Sequence, residues 1–150
     1  MRITDPNFEQ RTRDSFAQQP AMATLGGSID SVRAGRVVLA MPHRADLTQQ
    51  HGFLHAGMVA AALDSACGYA AFTLMPVGAG VLTIEFKINL LAPARGPLLH
   101  LEGQVTKAGR TISVVDGHAF QFEPGSPERK LVATMTATIM TVTGRDEVRH

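Results

Sequence analysis

Hydrophobic and small residues run almost unbroken from Gly57 to Met75, and Asp64 is the one formal charge among them. The run lacks the one-sided period of a surface helix, so it predicts a helix buried on all sides. Its alanines favour helix, whereas β-branched residues are too sparse for a strand. It falls short of a membrane span, because Asp64 sits mid-stretch and several flanking positions are merely small. Upstream, Phe8 and Phe16 stand between charged residues across Asn7 to Gln19, a short helical pattern closed by Pro20. That segment either covers something or simply packs. Gly26-Gly27 then breaks the chain before Ser28 to Met41, a strand marked by Ile29, Val32, Val37 and Leu39. Ala34-Gly35-Arg36 is a turn or bulge within it. His43 to His51 is a polar connection.

Downstream of Met75 the pattern changes to short apolar runs bounded by turn residues. Val81 to Leu91, Leu98 to Thr106, Thr111 to Phe122 and Lys130 to Val142 read as strands. Pro93-Ala94-Arg95-Gly96-Pro97, Lys107-Ala108-Gly109-Arg110 and Glu123-Pro124-Gly125-Ser126-Pro127 are the turns between them. The threonines at 134, 136, 138, 141 and 143 mark the last strand as β-branched and alternating. Gly144 to His150 is a charged tail expected to fray. Hairpin-linked strands are antiparallel, and a sheet of about five strands needs one face covered. A single apolar helix is the available cover, so the expected class is α+β, with the sheet wrapped around the helix. Neither a repeat nor a linker divides the chain, which predicts one domain over 1–150 with residues 1–24 as an N-terminal helical segment.

At 150 residues such a domain can bury a good core. The net charge of +1, with no long basic run, argues against nucleic acid or an anionic membrane as the partner. The N-terminus has no apolar core of a signal peptide, and a single cysteine cannot form an internal disulfide. Both fit a cytoplasmic protein.

A lone carboxylate in a buried helix is costly unless paired or used, which makes Asp64 the first candidate for chemistry. Cys67, one turn on, reads as a small hydrophobe because no cation lies near it in sequence. His51 and His55 have an i, i+4 spacing seen in metal-binding helices. The intervening Gly52-Phe53-Leu54 lacks a glutamate and no third ligand is evident, so no metal is expected.

Gln49-Gln50-His51-Gly52-Phe53-Leu54-His55-Ala56-Gly57, followed by Asp64, resembles the entry to the central helix of hotdog-fold acyl-CoA thioesterases of the phenylacetate-degradation (PaaI-like) type. Thr83 to Ala94 is similar to that family's second strand with its proline, and Lys107 to Thr111 to its next hairpin turn. The likeness runs through residues 25 to 142 in order. Two departures stand out: Ala56 replaces the first glycine of the usual His-Gly-Gly, and Gln49 stands where many members carry asparagine.

The resemblance implies hydrolysis of an acyl-CoA, with coenzyme A as part of the substrate and no other cofactor. Asp64 is then the general base or nucleophile. A backbone N–H at Ala56 or Gly57 polarises the thioester carbonyl, where free N–H groups and the helix dipole converge. Gln49 orients the carbonyl or the water, Thr83 holds the water opposite Asp64, and His55 fixes the loop. Arg95, Lys107 and Arg110 lie in turns where they could meet the coenzyme A phosphates. Two other functions are carried alongside. A hydratase or dehydratase of enoyl thioesters would use Asp46 and His51 but leave Asp64 unexplained. A non-catalytic acyl-CoA sensor would need a DNA-binding segment larger and more basic than the N-terminal stretch. Asp64 lies seven residues past Gly57, about 10 Å along a helix. Its short side chain does not close that gap, which predicts a homodimer with shared sites. The resemblance implies the same arrangement, often within a homotetramer built as a dimer of dimers.

Overall fold

The computed structural model describes residues 1–148. In chain order the elements are α1 (Phe8–Ala17), α2 (Pro20–Leu25), β1 (Ser28–Arg33), β2 (Arg36–Pro42), α3 (Ala56–Phe72), β3 (Gly80–Leu90), β4 (Leu98–Lys107), β5 (Ile112–Phe122) and β6 (Arg129–Val142). The strands form one antiparallel six-stranded sheet in the order β1-β2-β4-β5-β6-β3. Helix α3 packs against β2, β3, β4, β5 and β6. This is the α+β hotdog architecture, a curled sheet around a central helix.

The sheet has six strands rather than five, because Ser28 to Met41 is a hairpin. Gly35 at φ 76° turns the chain between the paired residues Arg33 and Arg36, a backbone region that favours glycine. The Gly35 N–H donates to Thr73 Oγ1 at 2.8 Å, which ties this turn to the end of α3. A second correction concerns the turn at Pro93 to Pro97. It does not join paired strands, since β4 is already flanked by β2 and β5 and β3 lies beyond β6. It is a crossover between opposite parts of the sheet, and it leaves β3 as an edge.

The depth of α3 is set by two glycines facing each other across β4 and β5, Gly103 and Gly117. A Cβ at Gly103 would lie 2.3 Å from the Ala66 carbonyl oxygen, and one at Gly117 would lie 2.8 Å from Cys67 Sγ. A side chain at Gly103 would press on the helix backbone, and one at Gly117 on the side chains that fill the space beneath the helix.

Burial of α3 is less complete than its composition predicts. Ala62, Leu63 and Ser65 to Phe72 are buried, but Ala56, Gly57 and Ala61 are exposed and Asp64 is half-buried. The sheet reaches around only part of the first half of the helix. A uniformly apolar sequence records burial without saying which molecule provides it.

The N-terminal segment is two helices. Pro20 closes the pattern of α1 and also opens α2 as its first residue, where the missing N–H is not needed. Arg11 clamps α1 onto the end of α3. Its guanidinium donates to the carbonyls of Phe72 (3.2 Å), Met75 (2.8 Å) and Pro76 (2.9 Å), and lies 4.5 Å from the centre of the Phe72 ring. Asp5 stands 3.3 Å from Arg11 Nε. At the other terminus Asp146–Val148 forms a single 3-10 turn. It folds back over Gly80, where a Cβ would meet the Val148 carbonyl. The tail expected to fray is ordered this far, and its last two positions, 149 and 150, lie outside the described residues.

Candidate active site

The loop into α3 is tied by its own backbone. Thr48 and Leu54 pair across it, Gln49 N donates to Phe53 O at 2.9 Å, and Gly52 N donates to Gln49 O at 3.1 Å. Gln49 Oε1 accepts the His51 N–H, which orients the Gln49 side chain. His55 is the N-cap of α3, and its Nδ1 accepts the Gly57 N–H at 2.9 Å. The His55 carbonyl accepts from Met58 and Val59. Among the described residues the Ala56 N–H has no acceptor. Of the two N–H groups the sequence offers for polarising a carbonyl, His55 occupies that of Gly57 and leaves that of Ala56. Gln49, Phe53, Ala56, Val59 and Leu91 are among the walls of a cavity of ≈ 370 Å³.

Asp64 and Thr83 meet across α3 and β3. Thr83 Oγ1 donates to Asp64 Oδ1 at 2.8 Å. Burial pushes the Asp64 carboxyl above the usual carboxylate range, and the Thr83 hydrogen bond opposes that shift. The pair opens on a second cavity of ≈ 550 Å³, walled also by Gln19, Ser65, Gly68 and Tyr69. Among the described residues none lines both cavities. Along the helix Asp64 is eight residues beyond Ala56, about 12 Å at the helical rise.

The other candidates separate clearly. Cys67 is fully buried, and burial together with the charges of Asp64 and Asp116 pushes its thiol up to about 12. It carries no thiolate at neutral pH. His51 precedes α3, so its spacing from His55 is not a helical one, and His55 is engaged as the cap. Among the described residues no three His, Cys, Asp or Glu side chains are grouped to hold a metal. Asp46 is held at the surface by Arg44 at 2.6 Å, which keeps its carboxyl below the ordinary range.

The three turn cations are not brought together. Arg95 lies beside the Gln49 cavity with its guanidinium 5.6 Å from the centre of the Phe53 ring. Its loop is held by buried Gln121, whose Oε1 accepts from Arg95 N (2.9 Å) and Gly96 N (3.1 Å). Lys107 and Arg110 line a different cavity of ≈ 980 Å³ near the end of α3, where Arg2 joins them. Sequence reasoning missed Arg2 and Gln19. Both are surface-type residues in the N-terminal segment, and only the tertiary fold carries them to a cavity.

Comparison with known proteins places this geometry. The thioesterase superfamily model matches residues 51–128. A protein of Saccharolobus solfataricus named as an esterase is 37% identical over 93 residues, 61% of this chain and 65% of that relative, so the chain spans about two thirds of its length. The crystal structure of a thioesterase family protein from Silicibacter pomeroyi superposes with a TM-score of 0.87 and 56% identity, covering 90% of this chain and 98% of that one. A phenylacetic acid degradation-related protein from Ralstonia eutropha superposes with a TM-score of 0.75 and 30% identity over 89% of this chain and 99% of that one. A family match across the α3 entry, Asp64 and Thr83, on a hotdog fold, settles the kinship: the chain belongs to the thioesterase superfamily, a family of hydrolases.

Proposed function

We propose that this chain hydrolyses an acyl-CoA to the free acid and coenzyme A. The observation that carries the reading is the Asp64–Thr83 pair, a carboxylate half-buried on an apolar helix, held by one hydrogen bond and facing a cavity. A carboxylate with a raised pKa and an exposed oxygen suits a general base. It removes a proton from water as that water attacks the thioester carbon, or it attacks the carbon itself and the resulting anhydride is then hydrolysed. In either case the carbonyl oxygen gains negative charge, and the Ala56 N–H at the positive end of α3, with the Gln49 amide, stabilises it. The carbon–sulfur bond then breaks, and coenzyme A leaves as its thiolate. In this reading a hydrophobic acyl or aryl-acyl group lies in a pocket beside α3.

The site in this reading is shared by two copies of the chain. Asp64 and Ala56 belong to separate cavities, yet the base and the oxyanion donor must both lie about 3 Å from one reacting group. Two open features accommodate a second copy. Strand β3 is an edge that exposes Leu82, Ile84, Phe86 and Leu90, and α3 exposes Ala56, Gly57 and Ala61. Unpaired backbone beside exposed apolar side chains invites an isologous partner. Asp64 and Thr83 of one copy then face Gln49 and Ala56 of the other. A homodimer forms in this way, and two dimers make a homotetramer. No helix among the described residues is long and apolar enough to cross a membrane, and the protein acts in the cytoplasm.

The hydratase alternative has less support, because Asp46 is tied to Arg44 at the surface while Asp64 faces a cavity. Incubating the protein with a panel of acyl-CoAs and a thiol-detecting reagent tests the reading. Release of free coenzyme A supports it. A panel that yields no thiol, or hydration of an enoyl-CoA with the thioester intact, overturns it.

A further inference from the structure

Helix α3 carries a glycine in its interior that its packing does not require. Gly68 stands one turn beyond Asp64 in a regular stretch of helix, and its φ is not positive. Glycine is the poorest helix former after proline, so alanine would serve the helix better. Steric need accounts for other glycines near α3. A Cβ at Gly103 or Gly117 would crowd α3, and one at Gly57 would press to 3.1 Å on His55 Nδ1. Beyond its own stretch of helix, a Cβ at Gly68 would meet one atom within 4 Å among the described residues, Val81 Cγ2 at 3.9 Å. That is ordinary contact. A methyl in a packed core touches several neighbours, so the space beside Gly68 is empty.

That space belongs to the ≈ 550 Å³ cavity beside Asp64, where Gly68 lies between Val81 and Thr83 of β3 and Gln18 and Pro20 at the junction of α1 and α2. Residues four apart share one helix face, with Cβ atoms about 5–6 Å apart. A helical side chain also leans toward the N-terminus, so one at position 68 would lie over the surface next to Asp64. The reacting thioester carbon comes to about 3 Å from the attacking group. The first carbons of the acyl group then pass the bare backbone of Gly68.

We propose that Gly68 is a specificity-determining residue: the side chain it lacks leaves room beside Asp64 for acyl groups that are broad next to the thioester carbon, branched or ring-bearing. A side chain at this position would narrow the cavity where such groups are widest and would hinder a straight chain less. The proposal rests on the thioesterase reading for the identity of the ligand. It also accounts for a residue weaker than alanine inside the central helix, since stability is given up where a substrate needs space.

The test compares thiol release from acyl-CoA pairs of equal carbon number, one straight and one broad: butanoyl with isobutanoyl, and heptanoyl with cyclohexanecarbonyl. Full-length wild type, Gly68→Ala and Gly68→Leu are assayed, each with a melting temperature and a sedimentation profile. Wild type should hydrolyse the broad members within about tenfold of the straight ones. The broad-to-straight ratio of kcat/KM should fall by about 10- to 100-fold in Gly68→Leu, and by less in the same direction in Gly68→Ala. Gly68→Ala should melt about 1–4 °C above wild type. The same pairs, as non-hydrolysable thioethers, are measured for binding by calorimetry. A ratio that neither variant moves, in rate or in Kd, overturns the proposal, as does a wild type that rejects both broad members. Gly68→Ala melting below wild type, or either variant losing self-association, also overturns it, since the glycine then serves packing. If wild type releases thiol from no thioester while the variants shift the broad-to-straight ratio of Kd, the hydrolase reading falls and Gly68 remains the residue that admits bulk.

Discussion

Thr83 Oγ1 donates to Asp64 Oδ1 at 2.8 Å, so a hydroxyl on the edge strand favours the charged form of a carboxylate on the central helix. Burial raises the Asp64 pKa and this bond lowers it. As a base Asp64 works only when ionised, so kcat/KM should climb with pH through a limb lying above the ordinary carboxylate value of 3.8. Replacing Thr83 with Val removes the opposing bond and should move that limb to higher pH, whereas Thr83→Ser should leave it in place. A pH–rate profile of the three proteins decides the point, and an unmoved limb in Thr83→Val would remove Thr83 from this role.

Asp64→Asn should lose about two or more orders of magnitude in turnover while still binding acyl-CoA. Its stability has a definite sign. The folded-state pKa is raised, so the native protein binds the extra proton between the unfolded value and the folded one, and stability falls as pH rises through that window. Asparagine has no such window. Thermal melts from pH 3.5 to 8 should show the variant gaining on wild type as pH rises, and a variant that melts far below wild type throughout would mark Asp64 as structural.

Asp64→Ala and Gln49→Ala, each nearly inactive alone, should regain activity when co-expressed. Half of the sites in a mixed dimer would be intact and the other half doubly defective. Sites built within one chain would each keep one defect. Verified mixed dimers without recovered thiol release would rule out sharing.

Lys107→Ala and Arg110→Ala should each raise KM for acyl-CoA, with less effect at high salt, and leave short thioesters lacking the nucleotide unaffected. Because these two share a cavity and Arg95 lies beside another, the double mutant of Lys107 and Arg110 should be non-additive. Combining either with Arg95→Ala should be additive. Equal losses on both kinds of substrate would show that the charges act through folding.

Arg11→Ala should lower stability by about 2–4 kcal/mol, since three carbonyls at the end of α3 and the Asp5 carboxylate lose their buried partner. Urea unfolding measures it. A loss under 0.5 kcal/mol would mean that α1 is held by its apolar contacts alone.

Helix α3 and the lone Asp64 were legible in the sequence because composition and a single misplaced charge are local signals. The hairpin at Gly35 was half legible: a glycine marked a break, but a turn and a bulge look alike until the partner strand is known. The crossover at Pro93 to Pro97 was misread because strand adjacency depends on which edges are already taken. Among the site residues, the Gln49 loop and Thr83 carry family likeness in order along the chain. The separation of Arg95 from Lys107 and Arg110, and the arrival of Gln19 beside Ser65, are products of tertiary packing that no window of sequence contains.

Gly103 and Gly117, facing each other beneath Ala66 and Cys67, make the mutational tolerance of this protein uneven in a way that proximity to substrate does not explain. Asp64 rides on the helix those two glycines admit, and Thr83 rides on the far edge of the sheet. A methyl added at Gly103 would press on the helix backbone and raise it by about an ångström, and one at Gly117 would press on the Cys67 sulfur, so both would stretch the span between carboxylate and hydroxyl. A saturation screen scored on turnover alone would therefore rank two silent backbone positions alongside the reacting groups. Compensating truncation of Cys67 to glycine is where a suppressor of Gly117→Ala would arise.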